Sequence, residues 1–167
     1  GTTYAIGLRA VNAAGAGTAA AIVSSIAADT PNAPTGLSAT ASDAQVSVAF
    51  TPPSNNGGST ITNYEYSTDG GTTWTAFAPA DTSSPVTITG LTNGTTYAIG
   101  LRAVNASGSG TASASVNATP MTIASAPTGL SATAGDVQVS IAFTPPSNNG
   151  GSTITCLLYT SPSPRDS

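Results

Sequence analysis

Leu91-Thr-Asn-Gly-Thr-Thr-Tyr-Ala-Ile-Gly-Leu-Arg-Ala-Val-Asn105 decides the fold. Asn93-Gly94 suits a tight turn that needs positive φ. From Tyr97 the residues alternate: Tyr97, Ile99, Leu101 and Ala103 fall on one face, Ala98, Gly100, Arg102 and Val104 on the other. That period of two predicts a strand with one buried face. Upstream, Val86-Thr-Ile-Thr-Gly-Leu91 has the same period and runs into the turn. Asp69-Gly70, followed by Gly71, marks a hairpin between Ile61–Ser67 and Trp74–Phe77, with Tyr64 and Tyr66 sharing a face. Gln45–Thr51 places Val46, Val48 and Phe50 opposite Ser47 and Ala49. Pro52-Pro53 ends that strand, because proline donates nothing to a ladder. Ser54–Ser59 reads as a loop, Leu37–Ala41 as a first strand and Ala112–Thr119 as a last one. Seven strands between Pro31 and Pro120 predict an all-β sandwich. No helix has support: Gly15, Gly17, Thr18, Val23 and Ser24-Ser25 interrupt any amphipathic stripe in the alanine-rich 10–28 region.

The opening residues repeat this stretch. Gly1–Asn12 is identical to Gly94–Asn105, and residues 1–62 match residues 94–155 at 46 of 62 positions. Thr51–Thr62 returns unchanged as Thr144–Thr155. In the next 12 pairs only Tyr66 and Tyr159 agree. The chain therefore divides into 1–30, the C-terminal part of one module; 31–120, a complete module; and 124–155, the N-terminal part of a third. Residues 156–167, Cys156-Leu-Leu-Tyr-Thr-Ser-Pro-Ser-Pro-Arg-Asp-Ser167, are expected to be a non-native tail. They resemble a translated sequencing adapter. The alternative, a divergent strand of the third module, has Pro162 and Pro164 against it. Each flanking part lacks most of a sandwich and cannot bury a core alone. Amide protection is therefore expected in 31–120 and not in the flanks.

Composition narrows function. Apart from the tail the chain has no Cys, His or Lys, and its charges are Arg9, Arg102, Asp29, Asp43, Glu65, Asp69, Asp81 and Asp136. Charged residues make up 6% of the chain, against about 25% in an ordinary domain. Two isolated arginines cannot displace the counterions of nucleic acid. Structural zinc would need Cys and His sets. No apolar run reaches the ~20 residues of a membrane helix. A nucleophilic Ser or Thr would lack the usual His or Lys base. No catalytic, cofactor-binding or metal-binding residue is predicted, and no cofactor.

The residues resemble a fibronectin type III array of the bacterial secreted or surface kind. The resemblance rests on Ala33-Pro-Thr-Gly-Leu-Ser-Ala39, on Pro52-Pro53 with Asn56-Gly-Gly-Ser-Thr-Ile61, on Leu91–Tyr97 and on Arg102-Ala-Val-Asn-Ala-Ser-Gly108. It covers residues 1–155 and implies an all-β, seven-stranded immunoglobulin-like sandwich, one complete module flanked by two partial ones. It also implies a corner at Leu91 and Tyr97, where the tyrosine hydroxyl meets upstream backbone; Tyr4 is the counterpart in the preceding copy. Two departures stand out. Phe50 and Phe143 occupy the place of the family's usual second-strand Trp. Asn105-Ala-Ser-Gly-Ser-Gly110 replaces the Arg-Gly-Asp of integrin-binding members.

Each remaining candidate has a functional and a structural reading. Trp74 would stack on a sugar or cover the sandwich beside the hairpin; the second role is the commoner one for a single aromatic. Tyr64 and Tyr66 read as core and cross-strand partners. Glu65, Asp69 and Asp81 fit no known cation loop, and Asp69 already has a turn role. Arg102, with Arg9 as its copy, is a ligand contact or a strand charge paired with Glu65. Asn93, Asn105 and Asn117 head Asn-X-Ser/Thr triplets, acceptor patterns expected by chance in so Asn- and Thr-rich a chain.

The expected function is a non-catalytic structural spacer in an extracellular or cell-surface repeat protein such as an adhesin. Modules of roughly 25–30 Å would follow one another through proline-bearing, semi-stiff junctions at Ala27–Ala33 and Asn117–Pro127. The alternatives are linker modules of an extracellular polysaccharide-degrading enzyme and a protein- or glycan-binding module. Expected partners are neighbouring modules in the same chain and protein or polysaccharide ligands. No nucleic acid and no membrane span are expected.

Overall fold

Alternation in the sequence becomes alternation in burial. The computed structural model describes residues 1–160, and these contain strands and turns but no helix. The N-terminal flank holds β1 (Thr2–Ile6), β2 (Val11–Asn12), β3 (Gly15–Ala16) and β4 (Val23–Ala27). The middle holds β5 (Thr35–Ser42), β6 (Gln45–Thr51), β7 (Asn63–Ser67), β8 (Thr75–Ala76), β9 (Val86–Thr89), β10 (Tyr97–Asn105), β11 (Gly108–Ser109) and β12 (Val116–Ala118). The C-terminal flank holds β13 (Thr128–Gly135) and β14 (Gln138–Thr144).

The middle strands form two antiparallel sheets. One has the order β5-β6-β9; the other runs β11-β10-β7-β8, with β12 also pairing with β10. Together they form the expected β-sandwich. Val46, Val48 and Phe50 from β6, and Val86 and Ile88 from β9, face Tyr64 of β7 and Ile99, Leu101 and Ala103 of β10; all are buried. Phe50 meets Tyr64 edge-on, ring centroids 4.7 Å apart, a favoured aromatic geometry. Phenylalanine thus fills the place of the family's usual Trp. Residues of the opposite phase in β6 and β9, such as Ala49 and Thr87, are exposed.

The last strand is less regular than the sequence suggests. Of the strand expected over Ala112–Thr119 only β12, Val116–Ala118, forms, and β11, Gly108–Ser109, lies ahead of the expected range. Between them Thr111 turns away and its amide donates to Pro31 O (3.2 Å), while Ser113 Oγ accepts from the Leu101 amide (3.0 Å). The strand expected at Trp74–Phe77 shortens to β8, because Trp74 belongs to the turn and its indole donates back to Gly71 O.

The flanks pair locally. β1 pairs with β4 and β13 with β14, and every residue of these four strands is exposed. Of the tail, Cys156–Thr160 form no strand and are exposed. Residues 161–167, including Pro162 and Pro164, lie outside the described residues.

Candidate functional site

The outer face of the larger sheet carries the main cluster of polar and aromatic side chains between Pro31 and Pro120. Arg102 and Glu65 are register partners on β10 and β7, so their side chains emerge on one face. Arg102 Nε donates to Glu65 Oε2 at 2.5 Å, and the same oxygen accepts from Ser109 Oγ at 2.9 Å. The guanidinium carbon lies 4.5 Å from the centroid of Trp74, a cation–π distance. On its other side the indole reaches Gly100, where an added Cβ would sit 3.5 Å from the ring. That is an ordinary van der Waals distance, so the ring lies against the sheet at Gly100. Its Nε1 donates to Gly71 O at 3.1 Å. The Trp74 ring is therefore held by the sheet, the turn and a cation, which leaves it little surface for stacking a sugar. The Arg102 and Glu65 side chains are 27% and 19% exposed, so solvent screens the pair in part.

Asp69 is spent inside its own turn. Oδ1 accepts from Ser67 Oγ (2.6 Å), the Thr72 amide (3.0 Å) and the Thr73 amide (2.9 Å); Oδ2 accepts from Thr73 Oγ1 (2.6 Å). The Ser67 hydroxyl, then Thr73, hold its carboxyl well below the usual carboxylate range. With its lone pairs so engaged it offers little to a cation. Asp81 accepts from Ser83 Oγ (2.6 Å) and the Ser83 amide (2.8 Å), and that hydroxyl bond is the main cause of its lowered pKa. Among the described residues no three Asp, Glu, Cys or His side chains converge as a metal site would require. Arg9 is exposed, in the segment between β1 and β2.

Tyrosines and asparagines tie the frame together. Tyr64 lies in the core, where burial pushes its phenol up. Tyr66 packs on Phe77, centroids 4.9 Å apart. Tyr97 OH accepts from the Thr92 amide at 2.9 Å, the corner implied by the sequence resemblance, and that bond lowers its pKa. Asn93 Oδ1 accepts from the Ala44 amide (2.9 Å) and Nδ2 donates to Asp43 (2.7 Å), linking two turns. Asn105 is 4% exposed, and its Nδ2 donates to Asp29 O (2.7 Å) and Asn56 O (2.8 Å). Its acceptor-triplet reading therefore fails on geometry: the amide nitrogen that would be modified is buried and engaged. Asn117 is exposed on β12. The bond network of Asn105 was not legible beforehand, because its partners lie 76 and 49 residues away.

One shallow cleft lies between Ala33–Leu37 and Ala114–Val116, another around Ala10–Gly17, and neither holds a titratable side chain.

No curated protein matches the chain. Among solved structures, a crystal structure of titin domains is 27% identical, covering 55% of this chain and 32% of its own length, with a TM-score of 0.48. Titin kinase with its flanking domains is also 27% identical, covering 56% of this chain and 18% of its own, TM-score 0.47. The FN1-FN3 domains of chicken CNTN1 are 18% identical, covering 71% and 42%, TM-score 0.46. The chain thus spans about a third or less of the titin structures it matches. The fibronectin type III domain model matches residues 32–119, more than half of the 167 residues. The chain belongs to the fibronectin type III family.

Proposed function

We propose that this chain is a non-catalytic spacer segment of a secreted or surface-attached repeat protein, an adhesin being the leading type. The 93-residue repeat carries this reading: 46 of 62 aligned positions are identical, as expected where successive copies do the same mechanical work. The residue range 31–120 is the complete module, and 1–30 and 124–155 belong to its neighbours. Fibronectin type III domains are in general structural or binding modules of multidomain chains and are typically non-catalytic. Supporting the spacer role, the polar side chains with chemistry to offer are engaged by their own neighbours: Asp69 by its turn, Trp74 and Glu65 by Arg102, Asn105 by backbone.

A panel of polysaccharides and extracellular matrix proteins, probed with the whole chain, tests this against the binding-module reading. No saturable binding is expected. Saturable binding lost on Trp74→Ala would replace the spacer role with ligand recognition by the outer face.

A further inference from the structure

The two junctions between modules are built alike, although one joins residues near 29 and the other residues near 122. In the first, the Asp29 amide donates to Gly57 O (2.8 Å) and the Asn32 amide to Asn55 O (3.0 Å). In the second, each bond recurs 93 residues on: Thr122 to Gly150 O (2.9 Å) and Ser125 to Asn148 O (2.9 Å). The donors differ in identity, yet the backbone bonds are the same. Beside them, two glycine turns meet. A Cβ on Gly1 would lie 3.0 Å from Gly58 Cα, and a Cβ on Gly94 would lie 3.0 Å from Gly151 Cα. A Cβ on Gly151 would collide with Gly94 N. Such backbone-to-backbone approach leaves no room for side chains.

We infer that each repeat carries a docking joint, in which the Asn-Gly turn of one module seats on the Asn-Asn-Gly-Gly loop of the next and fixes their relative orientation. The partner surface is a neighbouring copy of the same module. The inference rests on reading 1–30 and 124–155 as parts of neighbouring modules. At the second junction the Gly94 amide donates to Pro120 O (2.8 Å), which ties the connecting strand to the module it leaves. Thr122, bonded to Gly150, ties it to the module it enters. Only Met121 lies between the two anchors. With two soft dihedrals per residue, that leaves little room for hinge motion. Pro120 is itself fully buried, whereas Met121 is exposed. At the first junction Ala28 has the same place: β4 ends at Ala27, whose carbonyl lies against Gly1, and Asp29 is already bonded to Gly57. Proline content alone predicts semi-stiff links; the paired anchors and the glycine seat supply a specific contact.

Backbone 15N relaxation and amide exchange on the whole chain test the joint, independently of any ligand. The expected order parameter of Met121 is about 0.85, equal to rigid backbone, with slow exchange at Gly94 and Thr122. A Met121 value below about 0.6 in the unaltered chain would overturn the inference. Gly151→Val is expected to bring Met121 below about 0.6 and to release the Thr122 amide, while Ile99 and Leu101 stay protected. Met121 remaining rigid in that variant would sink the glycine seat, and so would loss of protection at Ile99, which lies away from the joint. A ligand found for the module would remove the spacer role and leave these measurements untouched.

Discussion

Tyr97–Leu101 and Tyr4–Leu8 share one sequence and have opposite surroundings. In the central sandwich Ile99 and Leu101 are 0% exposed; in the flank their copies Ile6 and Leu8 are 49% and 74% exposed. Yet the strand pairing is the same. Tyr97, Ala98 and Ile99 pair with Ala118, Asn117 and Val116, and Tyr4, Ala5 and Ile6 pair with Ser25, Ser24 and Val23 at the same spacing. The hairpins β5–β6 and β13–β14 also agree pair for pair, including a register shift after the first pair. Register is therefore local, set by the turn and the strand sequences. Burial is not: it arrives only with the facing sheet. The copy also shows what β7 contributes. Where β10 pairs with β7 it stays a strand for nine residues; its copy, without that partner, stops at Ile6 and resumes at Val11.

The largest expected effect tests this comparison directly. Leu101→Ala should lower unfolding free energy by about 2–5 kcal/mol, read by urea denaturation, since it empties a packed core site. Leu8→Ala, the same change in the exposed copy, should stay within about 0.5 kcal/mol. Equal costs would mean that the flank has a core of its own. A middling effect is expected at the corner. Tyr97→Phe removes the bond from the Thr92 amide and should cost about 0.5–1.5 kcal/mol, whereas Tyr4→Phe should be silent. On the outer face, a double-mutant cycle of Arg102→Ala with Trp74→Ala should return a coupling of about 0.5–1 kcal/mol. A coupling near zero would make their approach incidental.

The smallest effect is pH-dependent. Asp69 has a folded pKa held below its unfolded value of about 3.9, so its contribution is complete above that value. It is lost as pH falls through the lower folded value. Acid titration should therefore soften the Asp69–Trp74 turn only below about pH 4, and Asp69→Asn should remove that pH dependence. The amide shifts of Thr72 and Thr73, which donate to this carboxylate, are the direct reporters.

Much of this was legible in the chain itself. Alternation in Gln45–Thr51 and Tyr97–Asn105 named the buried face correctly, because side-chain phase along a strand is a local property. The Arg102–Glu65 pair was also within reach, because adjacent strands place their residues side by side. The breaks in the last strand were not. They depend on where Thr111 finds Pro31 O, a partner 80 residues away that no local pattern encodes. Nor was the Arg102 contact with Trp74, which depends on the turn that folds the indole back onto Gly71 O. The burial of Asn105 was hidden for a similar reason: a triplet pattern says nothing about whether its amide is buried.

The Gly1–Gly58 and Gly94–Gly151 contacts have a geometric consequence. Each is heterologous: the surface offered at one end of a module differs from the surface it meets at the other. A single rotation and translation then carries every copy onto the next. Repeated along a chain, one such screw operation generates an open superhelix, whose pitch and handedness are encoded in a few residues at each joint.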